Sequence, residues 1–487
     1  MPRPVMIVLS VLTFTAFVMM LNETTLAVAL PSMMADYSIS AATGQWLLTG
    51  FMLTMAVVMP TTGWMLERFT TRSVFLFATA AFLIGTIVAA LAPSFALLLL
   101  ARVAQAIGTA VILPLLMTVA MTLVPVGRRG AVMGMIAVVM AVGPALGPTV
   151  AGLVLSVASW HAIFWVMVPL VLAATVIGAV MITDVGEQRS TPLDVVSVLL
   201  SVVAFGGLVY GLSSIGAIVE GGPAGRSALI VLGIGIVGLV VFVRRQLVRG
   251  RTGRALLDLR PLAVRSYTLP LAVLLILFGA MLGVLNTLPL YLQGSVLVTA
   301  LTAGLVLLPG GLLEGVLSPI AGRFFDRYGP RPLVVPGMAL VVGSLFWLAT
   351  VDENSSVAVV VGVHVIFSVG LALLFTPLMT TALGSLPSGL YSHGSAILNT
   401  AQQLAGATGT GLLISIYSGV SAADQAAGTT ETAALADGAN SAFLVAAIAA
   451  TVALVLALFI RRSPAEPTAS RTVVTAEDRA ADDPPRR

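Results

Sequence analysis

Three ionisable side chains sit inside long apolar runs: Glu23 in LNETTLAVALP, Arg102 in LARVAQAIGTA and Glu314 in LPGGLLEGVLSPIAG. A charge at mid-membrane depth costs roughly 2.5–3.5 kcal/mol on insertion scales, so each of the three must be paired, solvated or at work. The chemistry open to them is proton exchange. A nearby arginine favours an ionised carboxylate while burial favours the neutral acid, and a glutamate between these pressures takes up a proton in one environment and gives it back in another. Other chemistries lack their parts. The chain has no cysteine and only three scattered histidines, which leaves no thiol and no structural metal cluster. It carries no HExxH, GxSxG or Walker motif, so neither an enzyme nor direct use of ATP is expected.

Such groups must be held by membrane helices. Of 487 residues, 58% are hydrophobic and 9% charged, with a mean hydropathy of +1.07; an average soluble domain is about 25% charged. A crossing takes about 20 apolar residues, and fourteen spans fit, from 5–30 to 439–460. Their runs do not alternate, which argues for helices over a β-barrel. All 24 basic residues are arginine. A cytoplasmic N-terminus puts Arg68, Arg72, Arg128, Arg129, Arg189, the run from Arg244 to Arg265, Arg323, Arg327, Arg331, Arg461 and Arg462 inside, which predicts both termini in the cytoplasm. The net charge of +4 follows from this bias and gives no support to nucleic-acid binding. Segment 419–438 is expected to be an external loop, and 463–487 a disordered tail. In this topology Glu23 and Arg102 both lie roughly 10 Å below the outer surface at 1.5 Å per residue, in one layer, and a charge-paired or water-linked cluster is expected. Glu314 lies about 12 Å in from the cytoplasmic side. It is either a second proton or cation site, or a side chain that snorkels or bonds to backbone bent by Pro309 and Pro319.

The chain also repeats itself. GWMLERFTTR (Gly63 to Arg72) and GRFFDRYGPR (Gly322 to Arg331) both fit G-x-x-x-[DE]-R-[FY]-x-x-R, 259 residues apart. Each follows the second helix of a six-helix set, so two repeats with two inserted helices between them are expected. The divisions are an N-terminal bundle at 1–182, extra helices and linker at 183–266, a C-terminal bundle at 267–462 and the tail at 463–487. Gly63, Glu67, Arg68, Arg72, Gly322, Asp326, Arg327 and Arg331 are candidate gate residues, whose charge pairs form in one state and break in the other. Exposed pairs are worth about 0–1 kcal/mol, enough to bias a balanced equilibrium. In GPALGPTVAG, Gly143 and Gly147 share a helix face with Ala151 and admit a close neighbour, while Pro144 and Pro148 bend the helix.

With these loops, LNETTLAVALP, LARVAQAIGTA, GPALGPTVAG and HGSAILNTAQQLAGATGTGL (393–412), the chain resembles the major facilitator superfamily, in its fourteen-helix drug/proton antiporter branch of quaternary-ammonium and lincomycin exporters. Glu67 stands where the family usually has Asp, Thr70 where it has Gly, and Ala27 where many relatives have Asn. The resemblance implies an all-helical major facilitator fold in a bacterial cytoplasmic membrane, a monomer that exchanges lipophilic, often cationic compounds for protons, with no cofactor beyond the proton gradient. It implies proton coupling at Glu23 and Arg102, and an antiporter motif of Gly143, Pro144, Gly147, Pro148 and Gly152 sealing the fifth helix against the eighth of the twelve-helix core. Asn22, Gln105, Asn286, Asn399, Gln402 and Gln403 are candidate cavity residues. Export of an endogenous lipid, siderophore or antibiotic is the alternative.

Overall fold

The computed structural model describes residues 3–39, 41–44, 46–182, 184 and 192–460. Arg189, Arg461, Arg462 and the expected disordered tail lie outside them. The described residues form helices and no strand. Fourteen helices are long: α1 (Arg3–Tyr37), α2 (Trp46–Arg68), α3 (Thr71–Ala90), α4 (Phe95–Leu123), α5 (Arg129–Leu155), α6 (His161–Met181), α7 (Val195–Ser213), α8 (Gly222–Gly250), α9 (Arg265–Gly294), α10 (Ala300–Tyr328), α11 (Arg331–Leu348), α12 (Val357–Gly384), α13 (Tyr391–Ala426) and α14 (Glu431–Ala457). Their starts are set by local chemistry. Thr70, Ser94, Thr299 and Ser356 each accept a backbone N–H of the following first turn, which satisfies a donor that the helix leaves open. Gly329, with φ of +80°, follows α10 in a conformation that glycine adopts without strain.

Thirteen of these segments are apolar enough to cross a membrane. The exception is α13, rich in Ser, Thr, Asn and Gln, and it lies between the others. Its side chains bond backward to its own carbonyls: Asn399 to Ser395 O, Thr400 to Ala396 O, Thr408 to Leu404 O and Ser415 to Gly411 O. That pattern removes much of the cost of putting polar groups in a dry interior. The expected external loop at 419–438 is a different structure. α13 runs to Ala426 and α14 starts at Glu431, so only a short turn joins them. Alanine-rich sequence favours continued helix, and Ser421 is buried against Gly438.

The same partnerships occur twice, eight helices apart. α1 packs on α4, α5 and α6, α4 on α2 and α3, and α3 on α6; α9 packs on α12, α13 and α14, α12 on α10 and α11, and α11 on α14. The two sets meet through α5 with α10 and α12, and through α13 with α2 and α4. Among the described residues α1 and α9 share no comparable packing. The inserted α7 packs on α8 and also touches α2 and α13, one helix from each set. A π-helical turn at Val202–Gly206 interrupts α7.

Candidate functional site

Arg102 is fully buried on α4 and organises the first set. Its Nη1 donates to Asn22 Oδ1 on α1 at 3.1 Å and to Gln105 Oε1 at 2.9 Å, and its Nε donates to the Leu47 carbonyl of α2 at 3.4 Å. The guanidinium lies over the Phe51 ring, 4.0 Å from the centroid, a contact worth about 2 kcal/mol where water is excluded. Gln105 Nε2 continues the network to Thr86 Oγ1 on α3 at 2.9 Å. One arginine thus ties α1, α2 and α3 to α4.

Glu23 follows Asn22 by one residue and forms no ion pair with Arg102 within 4.0 Å. Of the two arrangements expected, the direct pair is absent: the guanidinium is taken by neutral amide and carbonyl acceptors. Glu23 Oε2 and Arg102 Nη2 are both buried without a hydrogen-bond partner, and the two charges lie within electrostatic reach. A carboxylate and a guanidinium with one unused atom each make a site whose hydrogen-bonding capacity changes on protonation.

Asn22 and Gln105, expected as cavity residues, are enclosed in this network. Both are fully buried and held by Arg102. Asn399 and Gln403 do face the opposite set: Asn399 Nδ2 lies 3.3 Å from the Met117 sulfur of α4, and Gln403 Nε2 lies 4.0 Å from the Met55 sulfur of α2. Gln402 is buried with an unpartnered Nε2. Asn286 is exposed on α9, bonded to its own helix at Leu282 O and weakly to Thr410 of α13.

Glu314 is half-buried on α10 and has no ion pair among the described residues; its carbonyl accepts from Ser318 Oγ at 2.7 Å. One turn earlier, Gly310 lies against His364 and Ser368 of α12. His364 is buried with an unpartnered Nδ1. No group of His, Asp and Glu among the described residues is arranged to hold a metal.

The antiporter motif packs elsewhere than expected. A side chain at Gly147 would collide with the Thr24 hydroxyl, and one at Gly143 would press on Met20, so these glycines seat α1 on either side of Glu23 rather than α10. α5 does seal against α10, but through Gly130, Gly134 and Val142, which meet Gly322, Ser318 and Gly315. Gly152 faces open space. Pro144 and Pro148 lie in α5, whose helix continues through both.

The loop motifs gather on the arginine-rich face. Asp326 accepts two backbone N–H bonds from the first turn of α5, from Gly130 at 2.7 Å and Ala131 at 2.9 Å. An anion there also meets the positive end of the helix dipole. Glu67 Oε1 lies 3.2 Å from His393 Nε2 on α13, and the imidazole approaches Gly63 so closely that a side chain there would have to displace the ring. The acids were expected to pair with charges. Arg68 and Arg327 are exposed and form no ion pair among the described residues; Arg327 lies over Tyr328 instead. Arg331 Nε donates to the Ile460 carbonyl, and the Arg72 amide donates to Asp184. Arg129 adds a cross-set bond, donating from Nη1 to Tyr391 OH at 3.1 Å.

Sequence reasoning overlooked His393, Arg129 and Asp258. The His393 signal was present: a loop glycine that recurs at Gly63 and Gly322 requires a close neighbour, and a histidine heads the polar thirteenth span. Asp258 had no readable signal. It lies in the linker before α9, where its backbone N–H donates to His393 Nδ1 at 3.3 Å and its carboxylate pairs with Arg260. Burial pushes the Asp258 carboxyl up, but the hydrogen bonds and charge of Arg260 outweigh it and hold the acid below its ordinary range.

The family model of the Major Facilitator Superfamily matches residues 12–410. The lincomycin resistance protein LmrB of Listeria monocytogenes is 39% identical over 466 residues, covering 95% of this chain and 98% of the relative. LmrB of Bacillus subtilis is 38% identical, covering 94% and 96%. The multidrug resistance protein B homolog of Mycobacterium tuberculosis is 29% identical, covering 80% and 72%. Among solved structures, the human organic anion transporter MFSD10 aligns with a TM-score of 0.64 at 15% identity, covering 94% of this chain and all of that one. The proton:xylose symporter XylE aligns with 0.64 at 14% identity, covering 95% and 97%. At that identity the two structures speak for the fold alone.

Proposed function

The chain belongs to the Major Facilitator Superfamily, a family of membrane transporters rather than enzymes, and from that premise we propose that it exports lipophilic, often cationic drugs in exchange for protons by alternating access. The observation that carries this reading is Glu23, which follows the Arg102-bound Asn22, forms no ion pair among the described residues, and leaves its Oε2 buried without a hydrogen-bond partner. A static structural ion pair would satisfy both charges, whereas here the arginine is anchored by Asn22, Gln105 and Leu47 and the acid is left free to exchange a proton. The relatives named for lincomycin and multidrug resistance supply the substrate class.

The geometry supports a cycle of the following form. With the arginine-rich face toward the cytoplasm, along with both ends of the chain, Asp326, Glu67 and Arg129 hold that face closed and Glu23 exchanges protons with the outside. Protonation removes the attraction between Glu23 and Arg102 and alters how α1 seats on Gly143 and Gly147 of α5, the same helix whose first turn receives Asp326. Proton uptake and gate release thus act on one helix. Inward proton movement supplies about 2.3 kcal/mol per charge per 100 mV and about 1.4 kcal/mol per pH unit, enough for one proton to support a large drug gradient. Glu314 is a second candidate for proton or cation binding.

The test is transport of tetraphenylphosphonium and lincomycin by purified protein in liposomes with an imposed pH gradient. Wild type moves at least one of them against its gradient, and an ionophore that collapses the pH difference abolishes this. Accumulation indifferent to the proton gradient would contradict the reading.

A further inference from the structure

The two inserted helices have no part in the cycle described so far, yet a series of hydrogen bonds runs from them to His393, whose ring stands beside the gate residue Glu67. Asp194 caps α7, accepting Ser197 Oγ at 2.8 Å, and takes the Arg245 guanidinium of α8 through bonds of 2.8 and 2.9 Å. The next residue, Gln246, is buried; its Nε2 donates to Ser197 Oγ at 2.8 Å. Its Oε1 accepts the backbone N–H groups of Leu256 and Leu257 at 2.9 and 3.2 Å. This pins the start of the linker, and both leucine side chains are buried. The following amide, that of Asp258, donates to His393 Nδ1, and His393 Nε2 faces Glu67 of α2.

The series has a chemical direction. An imidazole nitrogen that accepts a backbone N–H carries no proton, so the linker fixes the tautomer with the proton on Nε2, the nitrogen that lies 3.2 Å from Glu67 Oε1. His393 belongs to α13 and Glu67 to α2, the helices that α7 also touches, with Ser201 Oγ reaching the Val57 carbonyl at 3.4 Å and the Leu212 carbonyl pressed on Gly411. The insertion is bound to both sides of one interface. A gate cannot open there without shearing its packing or releasing its linker.

We propose that the inserted helix pair is a strap on the gate: the linker amide of Asp258 holds the His393 ring against Glu67, and so sets how long the arginine-rich face stays closed. This rests on the alternating-access reading above and gives the insertion a task within it. His393 acts here as a positioning residue.

The chain has no native cysteine, so spin labels at Arg128→Cys and Ser388→Cys, on exposed turns of opposite sets, report gate opening by their separation. Gln246→Leu frees the linker and leaves His393 and Glu67 in place; Asp258→Pro removes the linker donor together with the carboxylate that pairs with Arg260. Each should shift the ratio of closed to open separations toward open by roughly two- to tenfold, the effect of one net hydrogen bond. Arg254→Gln, an exposed linker change, should leave the ratio at the wild-type value. If Asp326→Asn opens the gate while both linker variants stay at the wild-type ratio, the strap is wrong and alternating access stands. A separation that no variant moves, Asp326→Asn included, overturns both.

Discussion

The two copies of the loop motif meet the opposite set of helices by different chemistry. Asp326 places its carboxylate on the backbone amides of Gly130 and Ala131, at the start of α5. Glu67, one methylene longer, stands at the matching place beside the start of α13 and meets a side chain, His393. The glycines follow suit. Gly322 lies against the backbone of Gly130, whereas Gly63 lies against an imidazole ring. A backbone contact yields only if a helix moves, while a ring shifts by rotating its side chain. On the proposed gating, the second copy acts as a fixed stop and the first is adjustable, with the inserted linker holding the adjusting residue.

This contrast is most easily broken at Asp326. Asp326→Ala strips two charge-assisted bonds, each worth about 1.5–3 kcal/mol when removed singly. The closed population should fall by at least about tenfold, with slowed turnover and retained substrate binding. An unchanged separation between labels at Arg128→Cys and Ser388→Cys would remove the fixed stop. The glycines give the next largest effect. Gly322→Ala forces two helix backbones apart, an overpacking cost of about 1–3 kcal/mol, and should lower the thermal midpoint well beyond Gly63→Ala, where the imidazole can shift. Equal losses would erase the distinction between the copies. Glu67→Gln keeps an acceptor for His393 and should weaken gate closure by about 1 kcal/mol or less, measured by the same label separation.

The smallest effect sharpens the adjustable side. Hydrogen bonds from Arg245, together with those of Ser197, hold the Asp194 carboxyl down at about 2 against the pull of burial. A carboxyl depressed in the folded state stabilises above its unfolded value, about 3.9, and loses that contribution as pH falls through its folded value. The difference in melting temperature between wild type and Asp194→Asn should therefore be flat above about pH 5 and shrink toward pH 2. A difference that grew on acidification would mean that the clamp is not an ionised one.

Much of this was legible in the sequence because membrane helices write themselves in apolar runs. The repeat was legible too, since an acid, an aromatic and two arginines at matched spacing recur. What those loop acids bond to was not: a helix N-terminus and a distant histidine are tertiary facts, and the arginines beside Glu67 and Asp326 suggested local pairs. The same holds for Arg102, where depth alone put it with Glu23 and could not show that Asn22 and Gln105 take its donors. The α13–α14 turn was misread because polar alanine-rich sequence reads as loop by hydropathy but as helix by propensity. Gly143 and Gly147 announced a close neighbour without saying which, and it is α1.

In the proposed cycle Glu23 carries the exchanged proton. The decisive experiment adds the compound that scores in the liposome assay to purified protein in weakly buffered detergent solution and records the pH. Wild type should release protons on binding. Glu23→Gln should bind the compound and release none, and Arg102→Ala should release protons over a higher pH range, because the carboxylate has lost its neighbouring positive charge. Undiminished proton release from Glu23→Gln would contradict the account and move the search to Glu314.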